Sequence, residues 1–235
     1  MKKNRNSRIQ KREVILNAAK VAFAEKGFDA ALLQEIADRA DLAKGTLYLY
    51  FKSKEDLFLS LIEDELGKFI DIVETVSKES CSSIEKIKML IENVLSHLEA
   101  NKEFFCIFTP GRAGFTKIRH PKMAERIIPK HRKEVNLTAQ IIKEGVREGM
   151  IKNLDPTLLA YALIGLIHMM IGKWLLDGQK FSLEKSSEIV TTIFLDGIKT
   201  DKEKKATTTT GRMAETRRRQ RKNIFKRISE YKELI

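Results

Sequence analysis

The sequence predicts an all-α fold: three short N-terminal helices, a long connecting helix and a larger helical body, about nine core helices before a basic tail that can itself be helical. Three observations carry this. The 235 residues hold only 4 prolines and 12 glycines. Apolar residues recur three and four apart through most of the first two hundred positions. Helix-start signals stand at Ser53, Ser82 and Asp155-Pro156, and glycine stops at Gly27 and Gly149.

In chain order, the first helix is expected over Lys11 to Lys26, with Ile15, Ala18, Ala19, Ala22 and Phe23 on one face and Gly27 as the stop. A short helix follows from about Leu32 to Ala40, then a turn at Asp41-Leu42-Ala43, then a third helix from Lys44 to about Tyr50. Ser53 caps a long fourth helix, with Asp56 completing a partial capping box, and Leu57, Leu61, Leu66, Phe69, Ile70 and Val73 carry its apolar face. Ser82-Ser83-Ile84-Glu85 is a full capping-box pattern. A short helix covers Asn101 to Phe108, and the loop Pro110 to Gly114 leads to a long helix from Pro121 to about Glu148, with a kink expected at Pro129. Asp155-Pro156 starts a helix to about Leu176, and Ser182 starts the last core helix, to about Lys199.

The formal charge of +12 is concentrated at the ends. Residues 1–55 carry 12 Lys/Arg against 7 Asp/Glu, residues 56–200 are balanced at 20 each, and residues 201–235 carry 12 against 5. Basic ends suit a polyanion such as DNA or an anionic membrane surface, and equally a solvated face. Met1 to Lys11 is polar, so no secretory signal is expected. Cys81 and Cys106 are too few for a disulfide framework, which fits a reducing cytoplasm. The nearly apolar run Leu158 to Gly172 falls short of the ~20 residues a membrane span needs, so stable membrane insertion is not expected. A His-Glu-x-x-His helix, a paired-cysteine metal site and a Gly-x-Gly-x-x-Gly loop are all missing, and Gly111 to Lys117 misses the Walker spacing. Neither catalysis, metal nor cofactor is expected.

Residues 32–51 meet the requirements of a helix-turn-helix. Ala37 is small where two helices cross, Leu42 and Leu47 anchor the turn and second helix, and Asp41 stands at the turn position that favours positive φ. The run Leu42-Ala43-Lys44-Gly45-Thr46-Leu47-Tyr48-Leu49-Tyr50-Phe51-Lys52-Ser53-Lys54-Glu55-Asp56-Leu57 resembles the signature of the tetracycline-repressor (TetR) family. Phe23 to Phe28 and Ile36 to Ala40 match it too, and the resemblance covers about residues 9–69. It implies a cytoplasmic, ligand-released repressor that binds a palindromic double-stranded operator as a homodimer, with a DNA-binding domain at 9–69, a ligand-binding and dimerisation domain at 70–200, and dimerisation through the last two core helices. Residues 201–235 lie outside the family pattern.

The expected DNA contacts are Lys44, Gly45, Thr46, Tyr48, Leu49, Tyr50 and Lys54. Lys44 meets a phosphate, Gly45 allows close approach, the tyrosine hydroxyls reach phosphates, Leu49 suits a thymine methyl, and Lys54 sits at a helix N-terminus. Leu47 and Phe51 are expected in the core. Ala43 and Ala31 stand where a capping hydroxyl is usual, and loss of such a cap costs about 1 kcal/mol. Met89, Phe104, Phe105, Phe108, Phe115, Met123 and Trp174 are the candidate lining for a small apolar or aromatic effector, though any helical core holds such residues. His97, His120 and His168 are candidate polar handles or ordinary core and surface histidines. The apolar run around Ala162, Gly165, Leu166 and Met169 suits a helix buried on several sides. The tail, with Arg217, Arg218, Arg219, Arg221 and Lys222 before Ile224, Ile228, Tyr231 and Ile235, is a solvated segment, a packed amphipathic helix, or a nonspecific DNA or membrane anchor. The alternative to a DNA regulator is a membrane-surface or ligand-carrier helical protein with a basic tail.

Overall fold

The computed structural model describes residues 2–107 and 121–200, with side chains for 7–105, 107 and 124–200. Among the described residues the architecture is entirely helical apart from one isolated bridge between Ile151 and Lys199. Helix α1 spans Lys2–Ala30, α2 Leu33–Arg39, α3 Lys44–Tyr48 and α4 Lys54–Ser77. Then come α5 Ser83–Ala100, α6 Lys102–Cys106, α7 Pro121–Arg147, α8 Pro156–Leu176 and α9 Ser187–Ile198, the last preceded by a 3₁₀ turn at Glu184–Ser186.

Side-chain caps set the starts of α4, α5 and α8. The Ser53 hydroxyl accepts from the Asp56 amide at 3.2 Å, and the Asp56 carboxylate reaches back to the Lys52 amide at 2.8 Å. Ser82 and Glu85 close a reciprocal capping box, and Asp155 accepts from the Thr157 and Leu158 amides ahead of α8. Helix α1 begins nine residues before the expected Lys11, since the polar stretch from Lys2 holds no glycine or proline to stop it. Gly27, at φ 75°, breaks its regular course. Pro129 does not divide α7.

Helix α4 runs through the buried core from one end to the other. Its first turns bury Leu57, Phe58 and Leu61 against α1, where Phe58 packs edge-on against Phe23 and Phe28 with ring centroids 5.3 and 5.0 Å away. Its last turns bury Phe69, Ile70, Val73 and Val76 against α5 and α7. Helix α7 is its most extensive partner. Polar groups within this interior are satisfied. Lys86, 8% exposed, donates to the Ser77 carbonyl at 2.9 Å and to Glu144 at 3.1 Å, and Ser83 donates its hydroxyl to Glu148 at 2.7 Å.

Helix α8 has two apolar faces. It runs for 21 residues, long and apolar enough to cross a membrane by length and composition. One side buries Ala160, Leu163, Ile164, Ile167, Ile171 and Trp174 in the protomer. The other side is not intrachain core: Leu158, Tyr161, Ala162, Met169 and Leu176 are exposed, and Gly165 and Leu166 are half-buried. The apolar pattern all round α8 comes from one face serving the protomer core and another facing outward.

The α5–α7 contact leaves no room at Gly145. A Cβ there would stand 2.5 Å from Ile151 Cδ1 and 2.6 Å from Ser83 Oγ, whereas a Cβ on Gly67 in α4 would meet nothing within 4 Å. Gly145→Ala is expected to destabilise by about 1–3 kcal/mol through overpacking, and Gly67→Ala to stabilise by up to about 1 kcal/mol through helix propensity. Denaturant unfolding of both variants checks the opposite signs.

Candidate functional site

Helices α2 and α3 form the helix-turn-helix. Asp41 adopts φ 52° in the turn, so a short polar side chain that tolerates the left-handed region does the work usually given to glycine. The Leu42 amide donates to the Ala37 carbonyl at 3.0 Å, closing the turn over the small residue. Ile36 and Ala37 are fully buried, and Leu47 and Phe51 are 1% and 4% exposed, as expected for core anchors.

The opposite side of α3 faces solvent. Lys44 and Gly45 are exposed, Tyr48 is 50% and Leu49 73% exposed, and Thr46 and Tyr50 are half-buried. Large apolar and aromatic surface beside a free lysine on a short anchored helix is an unusual expense for a solvated face. A Cβ on Gly45 would meet nothing in the protein, so no internal contact requires glycine there. Helix α1 adds cations to the same end: Arg8 lies over the Tyr50 ring at 6.0 Å and Arg12 over Phe51 at 5.7 Å. Ala43 precedes α3 with no side-chain cap, leaving the first amides of α3 without a capping hydroxyl.

Lys54 has a different placement from the others. Its ammonium donates to the Asp29 carbonyl at 3.0 Å and the Ala31 carbonyl at 3.1 Å, and lies 4.8 Å from the centre of the Phe28 ring. It staples the α1–α2 corner to the start of α4.

A second candidate site lies within the larger domain, a cavity of about 30 Å³. Phe69 and Val73 of α4, Leu90, Val94 and Leu98 of α5, and Phe105 of α6 form one wall. Leu163, Ile164, Ile167 and Ile171 of α8 form the other, and Glu134, Thr138 and His168 supply the polar groups. Glu134 pairs with His131 at 3.2 Å, and this bond holds the His131 imidazole above its ordinary pKa against burial. Nearby, Glu65, 2% exposed, accepts from Lys68 at 3.0 Å and lies 2.5 Å from His97 Nε2. Burial pushes the Glu65 carboxyl up, but His97 and Lys68 outweigh it and leave the pKa below the usual range.

Of the residues expected to line an effector site, Phe105 lies on this cavity, and Phe104 packs edge-on behind it at 4.9 Å. Met89 packs against the core away from the cavity, and Trp174 is buried with its indole N–H donated to the Phe181 carbonyl at 2.7 Å. Phe108, Phe115 and His120 lie outside the described residues, as does the Met123 side chain. The aliphatic walls of α5 and α8 were legible only as core periodicity, because nothing in a leucine's spacing separates a packed wall from an open one.

Residues 15–61 match the model for bacterial regulatory proteins of the tetR family, and residues 62–197 match that for the C-terminal region of YsiA-like proteins. The chain belongs to the TetR family. It is 31% identical over 185 residues to the fatty acid metabolism regulator protein of Bacillus subtilis, covering 78% of this chain and 93% of that protein. The structure superposes on Bacillus subtilis FadR in complex with stearoyl-CoA with a TM-score of 0.70 at 28% identity, covering 79% and 98% of the two chains. The fatty acid degradation regulator FadR from Bacillus halodurans gives 0.71 at 26% identity, covering 80% and 95%. As a TetR-family member this protein is a DNA-binding transcriptional repressor with a ligand-binding domain, acting as a dimer on operator DNA. Its relatives are regulators rather than enzymes.

Two predictions separate the roles of adjacent residues. Leu47→Ala is expected to cost about 2–5 kcal/mol of stability, whereas Tyr48→Ala leaves the melting temperature almost unchanged and weakens operator binding. Thermal unfolding beside DNA titration distinguishes them. Acid should destabilise the head-to-body junction. Burial raises the Asp56 carboxyl, but the Lys52 amide and Arg126 prevail and its pKa lies below the usual value, as does that of Glu65. A carboxyl depressed in the folded state contributes stability above its unfolded pKa, about 4, and loses it as pH falls through the folded value. Stability therefore drops below about pH 4, and Asp56→Asn with Glu65→Gln should flatten that drop in a pH series of urea melts.

Proposed function

We propose that this protein represses transcription until a long-chain acyl-coenzyme A enters the larger domain and releases the operator. The carrying observation is the cavity between α4, α5, α6 and α8, walled almost wholly by aliphatic and aromatic side chains. An alkyl chain is the ligand chemistry that such walls favour, and a relative of like fold holds stearoyl-CoA. The cavity holds about two waters' worth of space, so an acyl chain enters only as the helices part.

On this reading residues 9–69 form the DNA-binding domain and 70–200 the effector and dimerisation domain, in the cytoplasm and without catalysis. Lys44, Gly45, Thr46, Tyr48, Leu49 and Tyr50 approach the major groove and its phosphates, with Lys54 contributing through its backbone amide. The exposed faces of α8 and α9, including Tyr161, Met169 and Ile193, meet their copies in the dimer.

Footprinting the DNA upstream of its own gene defines the site, and anisotropy then follows release. Stearoyl-CoA is expected to lift the protein off that DNA at micromolar concentration, and coenzyme A alone to leave it bound. Retention of DNA at saturating stearoyl-CoA and shorter acyl-CoAs rejects the effector class.

A further inference from the structure

We propose that Arg126 is a positioning residue that clamps the DNA-reading head to the effector domain, and that the clamp and the effector oppose each other. The second half rests on the effector reading above. Arg126 stands near the start of α7 and reaches three side chains of α4. Its Nη1 donates to Asp56 Oδ1 at 2.6 Å, its Nε to Glu63 Oε1 at 2.9 Å, and its Nη2 to Glu63 Oε2 at 2.5 Å and Ser60 Oγ at 2.8 Å. Positions 56, 60 and 63 fall on one stripe of α4, so a single planar guanidinium spans two of its turns.

The side chains of Arg126, Asp56 and Glu63 are 25%, 23% and 20% exposed, which sets this bidentate arrangement apart from an ordinary surface ion pair. Asp56 is also the residue whose carboxylate holds the Lys52 amide and whose amide is held by Ser53. The clamp is therefore wired directly to the segment that follows Tyr50 and Phe51. One turn further along α7, Lys130 donates to the Glu63 carbonyl at 3.2 Å.

The same two helices wall the cavity at another height. Phe69 and Val73 lie past Glu63 on α4, and Glu134 and Thr138 lie past Arg126 on α7. At 1.5 Å per residue the cavity walls begin about 9 Å from Glu63 along α4 and about 12 Å from Arg126 along α7. A cavity of about 30 Å³ must widen to admit an acyl chain. Widening moves α4 and α7 relative to each other and loads the clamp. A made clamp favours the closed cavity and the head position that goes with it; a strained one releases both.

Linkage gives this a sign that mere structural support lacks. Arg126→Gln in the full-length dimer is expected to weaken operator binding at least about fivefold and to tighten stearoyl-CoA binding by a similar factor. Anisotropy reads the first and calorimetry the second. Loss of both affinities together, or unchanged operator affinity, overturns the proposal. Glu63→Gln should act in the same directions, and the double variant should lose little more than the worse single variant. Additive losses overturn the clamp. If the wild type binds no acyl-CoA, the effector reading fails by itself, and this double-mutant cycle on operator affinity decides the clamp alone.

Discussion

Helix α4 is buried at both its ends within one continuous core, and the rest of the structure depends on that. Its 24 residues extend about 36 Å. Leu57 and Phe58 at one end complete the small core of the reading head, and Phe69, Ile70 and Val73 at the other complete a wall of the larger domain. A stiff rod buried at both ends does not shift at one end independently of the other. Helix α4 runs unbroken from Lys54 to Ser77 between the helix-turn-helix and the cavity walls.

Inside the head, the division of labour follows burial. Leu47 and Phe51 are spent on anchoring α3, which frees Tyr48 and Leu49 beside them to point outward. Lys54 shows how a basic residue in a basic segment can be taken up by the fold. Its ammonium donates to two carbonyls at the α1–α2 corner, and charge-assisted bonds of that kind are stronger than neutral ones.

The larger domain combines a narrow apolar cavity with a polar border. Glu134, Thr138 and His168 sit where α7 and α8 meet its aliphatic walls, while the Glu65–His97 pair lies just beyond Phe69. Helix α8 closes the cavity with one face and offers an apolar surface with the other. Ile164 and Ile167 on the cavity side and Met169 on the outer side therefore belong to one rigid helix.

The sequence by itself determined the helices, their caps and the helix-turn-helix. These are local: Ser53, Ser82 and Asp155 cap through residues two or three positions away, Asp41 bends its own backbone, and apolar spacing marks which side of a helix is covered. It left the start of α1 too late, because a polar helix carries no periodic signal. Only the tertiary structure decided which covered faces enclose space, that Lys54 turns back onto the protein, and that Arg126 meets Asp56 and Glu63 from seventy and sixty-three positions away. Contacts between distant helices depend on how α4, α7 and α8 pack in three dimensions, and neither residue type nor spacing along one helix carries that information.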